Sequence, residues 1–201
     1  MIKRLIQTAA AACLIVAGSA QATVMTEGAD TGQLIGTAFM VDSGTTQIDG
    51  RLANCCADLW GFTWNGGDLT IDTGGSNFDT QLFLFDSAGS GIVANDDGLG
   101  LGLNSRLSLN GLVAGLYYIG ISGFDLDPMS ASGFIFPNDF DGQVSATDAG
   151  ALVDWERGFD ARSRGRYSIN FSAAVSVPAP ATLALLGLGL IGVGAARRRK
   201  A

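Results

Sequence analysis

The sequence contains no histidine, and its lysines occur only near the two ends, as Lys3 and Lys200. Without histidine, the Ser-His and Cys-His nucleophile pairs and the histidine-ligated zinc centres of hydrolases are excluded. Cysteine is scarce as well, because the 201 residues contain only three. A structural zinc site is therefore disfavoured, since it needs histidines or a second cysteine pair.

Positive charge is also rare in the middle of the chain. Six arginines are the only basic residues between the two ends, whereas all 19 acidic residues lie there. This part of the chain therefore carries about −13, against a formal −7 for the whole sequence. Such a field repels nucleic acid and attracts divalent cations or basic partners. We therefore exclude nucleic acid as a partner.

The first 22 residues have the organisation of a secretory signal peptide. Their features are a basic start at Lys3 and Arg4, an apolar stretch over residues 8–18, and the small residues Ala20 and Ala22. Small residues in the first and third places are typical of a signal-peptidase site, so we predict cleavage after Ala22. Cys13 lies in the apolar stretch and is expected to be removed with the peptide.

Export leaves Cys55 and Cys56 as a neighbouring pair in an oxidising environment. Adjacent cysteines can form a vicinal disulfide through a strained ring. An intermolecular bridge and two free thiols are the other states. The sequence leaves all three open.

Residues 23–175 read as short strands separated by glycine- and aspartate-rich turns. Residues 68–72, 105–110 and 166–172 alternate between apolar and polar side chains, as strands with one buried face do. Residues 81–86 and 115–123 are apolar on both faces, as expected for central strands. Long helical periodicity does not appear before residue 180. The pattern predicts an all-β domain, an antiparallel β-sandwich.

Part of this domain, residues 58–123, resembles the bacterial pre-peptidase C-terminal (PPC) type of domain. The matching features are Asp58 before an aromatic strand, Gly67-Asp68-Leu69, Phe78-Asp79-Thr80 before Leu82–Asp86, Asn95-Asp96-Asp97, Asn104-Ser105, and Ala114-Gly115 with Tyr117-Tyr118. The resemblance implies a jelly-roll-like sandwich that acts as a non-catalytic accessory module on secreted bacterial proteins.

The C-terminal segment combines an apolar run with a basic end. Residues 181–196 are sixteen uncharged residues, followed by Arg197, Arg198, Arg199 and Lys200. A membrane span usually needs about 17–25 residues, and the uncharged stretch extends further back towards Tyr167. We therefore predict a single transmembrane helix, with its basic end in the cytoplasm and the acidic domain outside.

Residues 177–201 resemble the PEP-CTERM sorting signal of bacterial proteins that an exosortase processes. Val177, Pro178, Ala179 and Pro180 stand where that family has Pro-Glu-Pro, so Ala179 replaces the usual glutamate. The resemblance implies transient membrane insertion, cleavage near the proline motif, and delivery to the cell surface, outer membrane or extracellular matrix. Signal peptidase and an exosortase are the expected partners. A simple tail anchor is the alternative.

Calcium is the cofactor that the acidic turns allow, because hard cations bind clusters of carboxylate and carbonyl oxygens. The candidate ligands are Asp79, Asn95, Asp96 and Asp97. The alternative is a capped turn with solvated charges, since Asp and Asn are common turn residues. The sequence leaves both open.

Trp60 and Trp64 share one face of a strand, where they could stack on sugar rings, but Phe62 extends the stripe and favours a core. We predict no catalytic residue, because the aspartates lie in turns and Cys55 has no recognisable base. The expected function is a non-enzymatic structural or adhesive protein of the cell surface or exopolysaccharide matrix. A calcium-assisted module that binds carbohydrate or protein is the alternative, and a carboxylate-based hydrolase is a remote one.

Overall fold

The computed structural model describes residues 22–53, 56–138, 140–159 and 163–176. Within these ranges the chain forms fourteen strands and one 3₁₀ turn, Ile35–Thr37. The strands are β1 Thr23–Thr26, β2 Phe39–Met40, β3 Thr45–Arg51, β4 Asp58–Trp64, β5 Gly67–Asp72, β6 Thr80–Phe85, β7 Gly91–Asn95, β8 Arg106–Leu112, β9 Gly115–Gly123, β10 Leu126–Ser130, β11 Gly133–Phe134, β12 Gln143–Ser145, β13 Asp154–Arg157 and β14 Arg166–Phe171.

Two larger sheets form the sandwich, and the prediction of an all-β sandwich is confirmed. One sheet has the order β1-β3-β14-β5-β8, and the other has the order β12-β7-β6-β9-β4-β2. Alternating side chains of both sheets meet in a shared core, which includes Leu69 and Ile71 of β5 and Leu82 and Leu84 of β6. The alternation in the sequence predicted the buried face of β5, because successive residues of a strand point to opposite sides.

A third layer covers the outer face of the six-stranded sheet. The small sheet β11-β10-β13 packs there with its own apolar cluster. Phe83 of β6 contacts Phe136 and Trp155, with ring centroids 5.5 Å apart in both pairs. Each face of β6 and β9 packs against a different layer, which explains why both strands are apolar on both faces. A Cβ at Gly91 would collide with Ile135, which shows how closely this layer approaches β7.

Residues 123–137 provide much of this third layer. They form β10 and β11, and Ile135 and Phe136 are buried. The hydrogen bonds of β10 to β13 fix the layer, since Leu126 pairs with Arg157 and Met129 with Asp154. The sequence pattern did not separate these short strands from a loop.

Two edge strands depart from the antiparallel pattern of the sandwich. β1 pairs parallel with β3, and β2 pairs parallel with β4. The remaining strand pairs among the described residues are antiparallel. In both pairs a long stretch of chain, residues 27–44 and 41–57, separates the two strands, and a parallel pair requires such a crossover.

Trp60 and Trp64 are core residues, with exposed fractions of 1% and 6%. The Trp60 indole N–H donates to the Tyr167 hydroxyl at 3.0 Å, and the Trp64 indole N–H donates to the Gly67 carbonyl. Their rings therefore do not present a sugar-binding platform, and the core interpretation of the aromatic stripe is the correct one.

Among the described residues there is no helix with the length and apolar character that a membrane crossing requires. The predicted span at 181–196 lies outside the described residues, as does the signal peptide up to residue 21.

Candidate cation site

Three aspartates from two separate parts of the sequence meet at one corner of the six-stranded sheet. Asp79 directly precedes β6, and Asp96 and Asp97 directly follow β7. Because β6 and β7 are antiparallel neighbours, the start of one lies beside the end of the other. One carboxylate oxygen from each aspartate lies within 4.8 Å of the others. The structure thus brings together three of the four residues that the sequence suggested as calcium ligands.

Buried hydroxyl groups hold the β6 side of this corner. The Thr80 hydroxyl lies 2.6 Å from that of Thr73 and 3.0 Å from that of Ser105, and all three residues are fully buried. The Ser105 backbone N–H donates to the Thr73 hydroxyl at 2.8 Å. Asp79 itself is fixed through its carbonyl, which accepts from the Phe124 N–H at 3.1 Å. The backbone that carries Asp79 is therefore held from several directions.

A glycine- and leucine-rich loop, residues 98–104, closes over the same corner. The Gly98 N–H donates to the Asn104 carbonyl at 2.8 Å, and the Thr80 N–H donates to the Leu103 carbonyl at 3.0 Å. The loop therefore begins next to Asp97 and is attached to the start of β6. Its tip projects outward, since Leu99 is 96% exposed.

The carboxylates of the cluster lack hydrogen-bond donors. The Oδ1 atoms of Asp79, Asp96 and Asp97 are each buried and without a partner among the described residues. Burial raises the pKa of Asp96 to about 7, with further contributions from the charges of Asp79, Asp97, Asp141 and Asp127. Burial and the neighbouring Asp97 also raise the pKa of Asp79. A group that neutralises this corner would therefore stabilise it.

The repulsion within the cluster is large on the scale of protein stability. Two unit charges about 4 Å apart repel by about 4 kcal/mol at the effective dielectric constant of about 20 that suits sites near a protein surface. A folded domain is stable by only about 5–15 kcal/mol. Three ionised carboxylates in this geometry therefore require a cation or a proton.

Asn95, the fourth residue suggested by the sequence, has a different contact. Its side-chain oxygen accepts from the Arg106 backbone N–H at 2.9 Å, which joins the end of β7 to the start of β8. The Arg106 guanidinium in turn lies 3.4 Å from an oxygen of Asp72, so it serves that carboxylate rather than the cluster. We therefore leave Asn95 out of the cation site.

The structure also contains a second acidic cluster, which was not predicted from the sequence. Carboxylate oxygens of Glu27, Asp30 and Asp58 also lie within 4.8 Å of one another. Asp58 is fully buried, and one of its oxygens accepts from the Tyr167 hydroxyl at 2.7 Å. Glu27 accepts from the backbone N–H groups of Thr31 and Arg51. Glu27 and Asp30 precede β2 and Asp58 opens β4, so no local spacing in the sequence could have indicated the group.

Most of the remaining predicted site residues lie outside the described part of the chain. Cys56 is disulfide-bonded, but Cys55 and Cys13 lie outside the described residues, so the identity of its partner stays a prediction. The sorting residues from Val177 to Lys200 and the cleavage residue Ala20 also lie outside them. Ala22 is described, and it directly precedes β1.

The region that contains the cluster can be compared with known protein families. Residues 58–123 match the family model of the bacterial pre-peptidase C-terminal domain. The matched region is about a third of the chain, and it extends from β4 through β9, so all three clustered aspartates lie in it. The resemblance seen in the sequence is confirmed.

A second family model covers the C-terminal segment. Residues 176–200 match the PEP-CTERM protein-sorting motif. This motif marks an exported protein that an exosortase processes and that is sorted to the cell surface. None of the curated proteins matches the sequence.

Proposed function

We propose that this chain is a non-enzymatic structural or adhesive component of the cell surface or of an extracellular polysaccharide matrix. The sorting motif at residues 176–200 is the observation that carries the proposal. The motif begins where the sandwich ends, since Ser176 forms the last described backbone hydrogen bond, to the Thr63 carbonyl at 2.9 Å. A sorted cargo that consists mainly of one sandwich suits a role that depends on placement at the surface.

The chemistry of the acidic residues supports a role without catalysis. A carboxylate that protonates or attacks a substrate must reach it within hydrogen-bonding distance. Asp58, whose pKa burial raises to about 8, is enclosed in the core and bound by Tyr167. The unpartnered oxygens of Asp79, Asp96 and Asp97 are buried as well. The absence of histidine from the sequence removes the commonest general base.

A calcium-assisted binding module is the second candidate. It retains the acidic cluster at Asp79, Asp96 and Asp97, which is the observation that favours it. Trp60 and Trp64, the aromatic pair on which carbohydrate stacking would depend, lie in the core, and this disfavours the candidate. We therefore rank it below the structural role.

The proposal is tested in the native host. We expect a strain without the protein to lose surface or matrix cohesion, and the full chain to restore it. Replacing Arg197, Arg198, Arg199 and Lys200 by serine should leave the protein unprocessed and abolish the rescue, whereas Arg164→Ser should restore cohesion normally. The mass of the recovered protein reports processing, with an expected start at Thr23 and an end near Val177–Pro180.

Three results would contradict this proposal. Unchanged cohesion in the deletion strain would remove the structural role. Hydrolysis of a polysaccharide by the purified protein, abolished by Asp96→Asn, would instead indicate a carboxylate-based hydrolase. An intact C-terminus at Ala201 would show a tail anchor and exclude release by an exosortase.

A further inference from the structure

The structure contains two acidic clusters that differ in how their oxygens are satisfied. In the Glu27–Asp30–Asp58 cluster, Tyr167 donates to one oxygen of Asp58 and two backbone N–H groups donate to Glu27, so that only the Oδ1 atom of Asp58 is a buried oxygen without a donor among the described residues. In the Asp79–Asp96–Asp97 cluster, each carboxylate has a buried oxygen without a donor among the described residues. The second cluster therefore has a buried oxygen without a donor on each of its three carboxylates, and these carboxylates approach one another within 4.8 Å.

The burial of Asp96 is the independent observation that indicates a ligand. Its side chain is only 4% exposed, and its Oδ1 has no hydrogen-bond partner. A buried carboxylate without donors or a counter-charge is strongly disfavoured. The described basic side chain closest to this part of the sequence, Arg106, is paired with Asp72. A bound cation would supply the compensating positive charge.

We propose that Asp79, Asp96 and Asp97 bind one calcium ion, which fastens the start of β6 to the end of β7. This metal site goes beyond the surface role proposed above and does not depend on whether that role is structural or adhesive.

The geometry suits a calcium ion. Calcium binds six to eight oxygens at about 2.3–2.6 Å, so two ligands of one ion lie at most about 5 Å apart. The three carboxylate oxygens satisfy this limit, being within 4.8 Å of one another. Water and backbone carbonyls would complete the shell. Magnesium fits less well because it requires a near-ideal octahedron and releases its water reluctantly, and zinc prefers nitrogen and sulfur ligands.

The position of the site defines what the ion would stabilise. Asp96 and Asp97 connect β7 to the loop at 98–104, and Asp79 connects that corner to β6. A bound ion would remove the repulsion that separates these segments and would hold the loop, with its exposed Leu99, in one position. It would act as a structural clip at one end of the sandwich.

Export provides the conditions for binding. Calcium modules outside the cell typically have dissociation constants of about 10⁻⁴–10⁻³ M, which suits the high calcium concentration there. Since the sorting motif indicates an exported protein, the calcium ion would bind only after export.

Calorimetry and thermal melting of the full-length chain in mild detergent test the proposal. After removal of metal with EDTA, titration with calcium chloride near neutral pH should give one equivalent of binding. At a calcium concentration of about 100 times Kd, the melting temperature should rise by roughly 5–10 °C. Magnesium chloride at the same concentration should give a much smaller rise.

The variant Asp96→Asn tests whether Asp96 is a metal ligand or has only a structural role. This nearly isosteric change removes a buried charge, so we expect the variant to melt at or above the wild-type temperature in EDTA. In calcium its melting temperature should stay unchanged, and calorimetry should show no binding. Asp97→Asn should behave in the same way. Asp148→Asn removes a charge from an exposed position and should keep the full calcium response.

Two outcomes would overturn the proposal. Equal melting temperatures in calcium and EDTA, with no heat of binding, would mean that protons alone neutralise the cluster. A calcium response that survives Asp96→Asn but disappears in Asp58→Asn would place the ion at the Glu27–Asp30–Asp58 cluster instead.

Discussion

At the scale of single residues, Tyr167 connects the two sheets of the sandwich by hydrogen bonds through the core. Its hydroxyl donates to Asp58 at 2.7 Å and accepts from the Trp60 indole at 3.0 Å. Asp58 and Trp60 lie on β4, whereas Tyr167 lies on β14 of the opposite sheet. A buried carboxyl can be tolerated here because a donor reaches it.

Tyr167→Phe should therefore destabilise the protein. The change removes the donor of Asp58 and the acceptor of Trp60 together, and each buried group left without a partner costs about 1–3 kcal/mol. Urea denaturation measures the loss in the free energy of unfolding. Tyr118→Phe is the matched control, since no hydrogen bond of its hydroxyl is seen among the described residues, and it should change stability little. Equal effects of the two variants would contradict the role of the hydroxyl.

Asp58 should also make stability depend on pH. Burial raises its pKa from 3.8 to about 8, and Glu27 and Asp30 add to the shift while the Tyr167 hydrogen bond opposes it. The folded state therefore holds a proton that the unfolded state has released, so the free energy of unfolding falls as pH rises from about 4 to about 8.

Asp58→Asn should reduce this fall, because the amide cannot ionise. Urea denaturation in EDTA from about pH 5 to about pH 9 checks it. The difference between the two proteins should grow up to about pH 8 and level off above it, since Asp96 and Asp127, whose pKa values burial also raises, are present in both. Asp148→Asn serves as the control. The same pH dependence in wild type and Asp58→Asn would show that Asp58 does not ionise in this range.

At the scale of elements, the third layer decides how the central sheet is covered. β10, β11 and β13 are short, yet they cover the outer face of β6 and β9. Trp155 is the anchor, since its ring packs on Phe83 and its indole N–H donates to the Gln33 carbonyl at 2.7 Å. This layer therefore belongs to the folded core and is not a surface decoration.

Trp155→Ala should cost about 3–5 kcal/mol, the usual range when a large core aromatic is truncated. The free energy of unfolding from urea denaturation measures it. Phe159→Ala is the control, because Phe159 is 94% exposed and should change stability by less than about 0.5 kcal/mol. A cost for Trp155→Ala as small as for Phe159→Ala would mean that the third layer adds little to the core.

At the scale of the whole molecule, the sandwich lies between the predicted signal peptide and the sorting motif. β1 begins at Thr23, directly after the predicted cleavage at Ala22, and the last described contact involves Ser176. The Thr23 N–H donates to the Gly44 carbonyl at 3.1 Å, so the predicted mature terminus is already part of the sheet. The two ends therefore contain the predicted signal peptide and the sorting motif, and the residues between them form the sandwich.

Processing should change the charge of the protein substantially. The two ends contain Lys3, Arg4 and four basic C-terminal residues but no acidic ones, so their removal changes the net charge from −7 to about −13. Isoelectric focusing should show the processed protein at a lower isoelectric point than the full chain. Equal isoelectric points for the surface-recovered protein and the unprocessed chain would contradict removal of both ends.

The sequence by itself determined the features that depend on local pattern. Alternation predicted β5 and β14, apolar runs on both faces predicted β6 and β9, and the pattern of residues 177–201 predicted the sorting motif that the family model matches. Strand periodicity and sorting signals are encoded in consecutive residues, so both can be read without knowledge of the fold.

Only the tertiary structure decided which distant residues meet. It showed that Trp60 and Trp64 face the core, that β1 and β2 pair parallel, and that residues 123–137 cover a sheet. It also separated Asn95, which binds the backbone of Arg106, from Asp79, Asp96 and Asp97, whose oxygens converge. The reason is that strand pairing joins segments far apart in the chain, and the burial and charge of each side chain follow from that pairing.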